Sequence, residues 1–174
     1  MVHILIADDQ AIVRSAIERL INKSGEDWEI CGAVDNGQAA VEIAASLKPD
    51  LVILDVRMSK LNGISAGRAI REILPGTPVL IYTWLDPAAA EGAVRDAGLQ
   101  GVVQKSDGRA ILRAIRDVLA GKTVFSDQTL PGEPTPQTTR SNVSGDGRPT
   151  EALSGNQAPK RRRKRPSRKP RRTA

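Results

Sequence analysis

Five short apolar runs, separated by segments of helical periodicity, constrain this chain more tightly than any other feature. The runs cover residues 3–7, 29–34, 51–54, 79–82 and 101–104. Most are apolar throughout rather than alternating, the pattern of strands covered on both faces of a parallel sheet. Between them, apolar residues return every three or four positions. Val13, Ala16, Ile17, Leu20 and Ile21 form one stripe, and Ile111, Ala114, Ile115, Val118 and Leu119 another, as in helices that lay one face on a sheet. Asp86 and Pro87 have the form of an N-cap and a first helical residue, and Gly98 that of a helix stop. Strand–helix alternation repeated five times predicts an α/β fold: a flavodoxin-like, doubly wound parallel sheet of order 2-1-3-4-5 with helices on both faces.

The rhythm stops after the last helical stripe. Residues 1–126 carry 14 Lys+Arg against 16 Asp+Glu and all four aromatic residues, Trp28, Tyr82, Trp84 and Phe125. Residues 127–174 carry 12 against 4, and seven of the eleven prolines. Only the first part has the apolar content to build a core. The expected organisation is a folded domain over residues 1–122, a disordered linker over 123–159 and a basic disordered tail over 160–174. Ten of the thirteen residues in 160–172 are basic. Such a run suits nonspecific contact with nucleic acid, anionic lipid or an acidic partner, or a plain solvated extension. It has no aromatic residue to stack on bases, which argues against sequence-specific recognition.

Other classes fall away. A single cysteine, Cys31, and a single histidine, His3, exclude an intramolecular disulfide framework and cysteine-rich or multi-histidine metal sites. No apolar run is long enough for a transmembrane segment, and the N-terminus lacks the basic-then-apolar order of a signal peptide. A cytoplasmic setting is expected.

Open α/β sheets place their sites at the carboxyl ends of the strands. There the first run ends in Asp8 and Asp9, the third in Asp55, the fourth in Thr83 and the fifth in Lys105. In the 2-1-3-4-5 order these share one crevice, three carboxylates facing a hydroxyl and an ammonium. Carboxylates that close must bind protons or share a cation, and an oxygen-only set favours Mg2+. Such a site can accept a phosphoryl group on a carboxylate, with the ammonium and hydroxyl meeting its oxygens. Taken singly, each residue has a plainer reading. Asp8 and Asp9 suit a helix cap, Asp55 a turn, Thr83 a strand interior and Lys105 a solvated loop. Their joint placement at four strand ends favours the site.

These stretches resemble the receiver domain of bacterial two-component response regulators, of the type usually fused to a helix-turn-helix effector. Residues 4–9, residues 52–58 with Asn62 and Gly63, residues 81–83, and Gln104 with Lys105 carry the likeness. The resemblance implies that Asp55 is the phosphoacceptor for a sensor histidine kinase. Mg2+ would be held by Asp9, Asp55 and the backbone carbonyl of Arg57, with Asp8 in support. Thr83 would be the switch hydroxyl and Lys105 the phosphoryl contact. It further implies output, to a partner or a second copy, from the face of the fourth helix, fifth strand and fifth helix. The domain would act as an acceptor rather than an enzyme, losing its phosphoryl group slowly. Four positions depart from the family pattern. Ser59 and Ser106 stand where proline is common, Val102 where an aromatic is common, and Trp84 where a small residue is usual. These departures support an alternative, a non-phosphorylated receiver-like binding module working through its tail or helical face. A hydrolase on the same fold lacks the second Asp it would need, because Arg57 stands there. No helix-turn-helix effector is recognisable after residue 126.

Overall fold

A computed structural model describes residues 1–106 and 108–125. The elements alternate as β1 (Val2–Ala7), α1 (Ala11–Asn22), β2 (Trp28–Val34), α2 (Gly37–Leu47), β3 (Leu51–Leu54), α3 (Gly63–Ile73), β4 (Val79–Thr83), α4 (Pro87–Asp96), β5 (Gly101–Gln104) and α5 (Gly108–Leu119). All neighbouring strands pair in parallel, and the sheet order is β2-β1-β3-β4-β5. This is the flavodoxin-like arrangement expected from the alternation. Among the described residues no helix is long and apolar enough to cross a membrane.

The two-residue period of the strands divides the core in two. Leu5, Ala7, Val52, Leu54, Val79 and Ile81 pack with residues of α2, α3 and α4 on one face. Ile4, Ile6, Leu51, Ile53, Leu80 and Tyr82 pack with α1 and α5 on the other. Every one of these is buried, so the apolar runs are unbroken because both faces are covered. Val13, Ile17 and Ile21 of α1, and Ile111, Ala114, Ile115 and Val118 of α5, are the buried stripes. The side chain of Asp86 caps α4 by accepting the Ala88 N–H at 3.1 Å, with Pro87 in the first turn. Gly98, at φ +70°, ends that helix.

The order β1-β3 puts the loops after these strands side by side at the switch point. The loop after β3 is held against α3. Asn62 caps the helix by accepting the Ser65 N–H at 2.9 Å, and the Gly63 N–H donates to the Val56 carbonyl at 3.0 Å. Gly63 has to be glycine, because a Cβ there would lie 1.8 Å from the carbonyl oxygen of Asp55.

The fold extends beyond the expected boundary at residue 122. Val124 forms a parallel bridge with Gly101 on the outer edge of β5, and Phe125 is buried in the core. These two residues therefore belong to the folded body and not to a linker, since they complete hydrogen bonds of an edge strand and bury a ring. Residues 126–159 of the expected linker and the whole basic tail, with its nucleic-acid reading, lie outside the described residues.

Candidate functional site

Asp8 and Asp9 leave β1 where helix α1 has yet to begin. The N-cap of α1 is Gln10, which makes no side-chain cap bond, so capping does not account for the two aspartates. Asp8 is oriented from several sides. Its N–H donates to the Val34 carbonyl at 3.1 Å and its Oδ1 accepts the Gln10 N–H at 3.0 Å. An Arg14 Nη donates to its carbonyl at 2.6 Å. Asp55 is tied to the neighbouring strand by its N–H, which donates to the Ala7 carbonyl at 2.9 Å. Each of Asp8, Asp9 and Asp55 offers a carboxylate oxygen, and these three oxygens lie within 4.8 Å of one another. Asp8 and Asp55 are buried, whereas Asp9 is exposed at the mouth.

Lys105 enters from the end of β5, where its N–H donates to the Thr83 carbonyl at 2.8 Å. Its Nζ lies 2.6 Å from Asp8 Oδ2 and 3.2 Å from Asp55 Oδ1. These are short, charge-assisted contacts of a buried ammonium with two carboxylates. With three N–H groups and two such contacts, the ammonium keeps one N–H for another anionic oxygen. Burial pushes the Asp8 carboxyl above its ordinary value; Lys105 and the Gln10 N–H pull it down, and the charge on Asp55 adds to the rise. Thr83 is buried, and its Oγ1 accepts the Leu85 N–H at 3.2 Å, which leaves the hydroxyl proton uncommitted by that bond.

Beside the ion pair, Asp9, Asp55 and Thr83 line a cavity of about 190 Å³ together with Gln10, Arg57 and Trp84. All six residues singled out from the sequence (Asp8, Asp9, Asp55, Arg57, Thr83 and Lys105) therefore meet at one end of the sheet. Two further residues were not foreseen there: Gln10 lines the cavity and Arg14 fixes the Asp8 backbone. An arginine one turn into α1 carries no local signal for this role. Gly63, part of the motif after Asp55, permits the close approach to it.

The donor set fits Mg2+. Three hard carboxylate oxygens with no nitrogen or sulfur among them suit a small divalent cation that keeps part of its water. One buried ammonium cannot neutralise three carboxylates, so the crevice retains a negative charge for a cation to offset.

Comparison with known proteins agrees with this geometry. Residues 4–116 match the family model of the response regulator receiver domain. The chain is 31% identical over 129 residues to the response regulator GacA of Pseudomonas aeruginosa, covering 74% of this chain and 60% of that protein. It is 33% identical over 126 residues to the transcriptional regulatory protein LnrK of Bacillus subtilis, covering 72% and 57%. The chain thus spans about six tenths of the length of these curated relatives. Among solved structures, a LuxR-family two-component response regulator from Aurantimonas sp. SI85-9A1 superposes with a TM-score of 0.68 at 29% identity, over 72% of this chain and 90% of that one. The receiver domain of NarL from Mycobacterium tuberculosis does so with a TM-score of 0.65 at 28% identity, over 70% and 98%. The chain belongs to the response regulators of two-component systems, and its described part is their receiver domain.

Proposed function

We propose that Asp55 accepts a phosphoryl group from the phosphohistidine of a sensor histidine kinase in a cytoplasmic phosphorelay. A carboxylate oxygen of Asp55 attacks phosphorus, the O–P bond forms as the P–N bond breaks, and the imidazole leaves with the electron pair and takes up a proton. The observation that carries this reading is the convergence of Asp8, Asp9 and Lys105 on a buried Asp55. Mg2+ held by Asp9, Asp55 and the Arg57 carbonyl, with Asp8 in support, would offset the charge that builds on the transferring oxygens. Lys105 turns its ammonium to a new phosphoryl oxygen, and Thr83 donates its hydroxyl proton to another. The domain acts as an acceptor, and its only turnover is slow hydrolysis of its own phosphoaspartate. Output runs from the face of α4, β5 and α5 to a partner or a second copy of the chain.

Incubation with a small acyl phosphate and Mg2+, read by intact mass, tests this. Wild type is expected to gain one phosphoryl group and Asp55→Asn none. Equal modification of both proteins, or of neither, contradicts the reading.

Trp84 bears on how long the phosphoryl group lasts. Its indole is 53% exposed yet lines the cavity beside Asp55 and Thr83, and Lys105 Nζ lies 6.0 Å from the ring centroid. A ring at that rim limits the approach of water to phosphorus. Trp84→Ala is therefore expected to shorten the phosphoaspartate lifetime severalfold, followed as loss of the phosphorylated mass after the donor is removed. Equal lifetimes reject this role.

A further inference from the structure

The segment after α5 returns across the fold as a short strap. The Val102 N–H donates to the Val124 carbonyl at 2.9 Å and the Val124 N–H to the Gln100 carbonyl at 2.8 Å. The fit is tight, since a Cβ on Gly101 would lie 2.4 Å from the Val124 carbonyl oxygen. Phe125 then enters the core cluster that holds Ala90, Val94, Leu99 and Val102. On its outer side the Arg95 guanidinium lies 3.8 Å from the ring centroid. Arg95 is itself held by Glu91, one turn earlier on α4, at 3.0 and 2.7 Å. Strap, α4 and β5 are thus joined through one ring, and Phe125 supplies to this cluster the aromatic group that Val102 lacks.

The strap and the acidic crevice meet the two ends of the same strand: Val124 pairs at the start of β5, and Lys105 follows its last residue. Val102 lies three residues before Lys105 on a strand of four residues. The Lys105 ammonium touches both Asp8 and Asp55, and its backbone is bonded to Thr83. A phosphoryl dianion on Asp55 would draw that ammonium away from Asp8, and the four-residue β5 is the element that joins Lys105 to Val102. A contact as tight as that of Gly101 with Val124 holds or releases rather than sliding. Two backbone hydrogen bonds, the packing of Val124 on the core beside α1 and α5, the buried Phe125 ring and the Arg95 cation–π contact hold the strap.

We propose that Val124 and Phe125 form a strap that lies down when Asp55 is free and lifts when Asp55 is phosphorylated. Phe125 is then a positioning residue through which the state of Asp55 reaches the chain beyond residue 125. The proposal rests on the phosphoacceptor reading of Asp55.

Amide hydrogen exchange on the full chain, with intact mass recorded on the same samples, tests it. After treatment with a small acyl phosphate and Mg2+, the Val102 and Val124 amides of wild type should exchange about tenfold faster or more, while the Ile53 amide does not change. Asp55→Asn should show no acceleration. Phe125→Ala should exchange fast at both amides before any treatment and still gain the phosphoryl mass, and Phe125→Leu should fall between it and wild type. A mass gain with unchanged protection at Val102 and Val124 overturns the coupling alone, and a Phe125→Ala strap as protected as wild type does the same. Absence of any mass gain in wild type overturns the phosphoacceptor reading, and this coupling with it.

Discussion

Gly63→Ala is expected to cost this domain at least about 3 kcal/mol of stability, near the upper end for overpacking substitutions. The added Cβ would sit 1.8 Å from the Asp55 carbonyl oxygen and 3.3 Å from the Val56 Cα. Both obstacles are backbone, so no side-chain rotation can relieve them. Helix α3 must instead move off the loop that follows β3, breaking the Gly63–Val56 hydrogen bond and uncovering the apolar face that α3 shares with β3 and β4. Against a total stability of roughly 5–15 kcal/mol, that loss is large. Gly92→Ala, inside α4, is the matched control. A Cβ there meets nothing within 4 Å, and alanine is the better helix former by about 0.5–1 kcal/mol. Urea midpoints should therefore fall sharply for Gly63→Ala and hold or rise for Gly92→Ala. Two similar midpoints would mean that the approach of α3 to Asp55 is looser than described.

Lys105→Met should show a loss of stability with a distinctive pH dependence. Methionine keeps the apolar stem but removes the only cation in contact with the buried carboxylates of Asp8 and Asp55 among the described residues. Removing one partner of a buried ion pair costs about 3–5 kcal/mol. Burial already raises the Asp8 carboxyl, and Lys105 is one of the groups that restrain it, so the substitution raises it further. In the unfolded chain the same carboxyl keeps its ordinary value. Between the two values the folded form holds the extra proton, so stability is greatest in acid and is lost as pH climbs through the folded value. The deficit of Lys105→Met relative to wild type should accordingly be large near neutrality and shrink as pH falls. Mg2+, by supplying the missing positive charge, should narrow it again at neutral pH. Urea midpoints over a pH series provide the check, and a deficit independent of pH would remove the charge-balancing role assigned to Lys105.

Much of this architecture was legible because several physical signals agreed. The runs ending at Ala7, Leu54 and Tyr82 are apolar on both faces, and strands of that kind read as central members of a parallel sheet. The strand ends also carry the acidic and basic residues, so the fold and the crevice were recovered together. Edge features were harder. Strand β2 is only partly covered, and its register with β1 shifts between Ile4 and Leu5, a detail set by three-dimensional fit rather than by pattern. Val124 and Phe125 fall outside the domain that the pattern predicts because two apolar residues have no periodicity, and their partners lie more than twenty positions earlier in the chain. The Arg14 hydrogen bond to the Asp8 carbonyl and the rim position of Gln10 depend on how α1 leaves β1, which no local spacing encodes. Asn62 and Gly63 were visible as a motif. The reason glycine is required there became visible only with the Asp55 carbonyl beside it.

The central claim is that a divalent cation bound among Asp8, Asp9 and Asp55 readies the Asp55 carboxylate for phosphoryl transfer. Locating the phosphoryl group by peptide mapping, after exposure to a small acyl phosphate across a Mg2+ titration, tests it most directly. Modification should rise and saturate with Mg2+, reside on Asp55 alone, vanish with a chelator and need far more Mg2+ in Asp9→Asn. Phosphoryl transfer that proceeds equally well in chelator, or that settles on another residue, would contradict it.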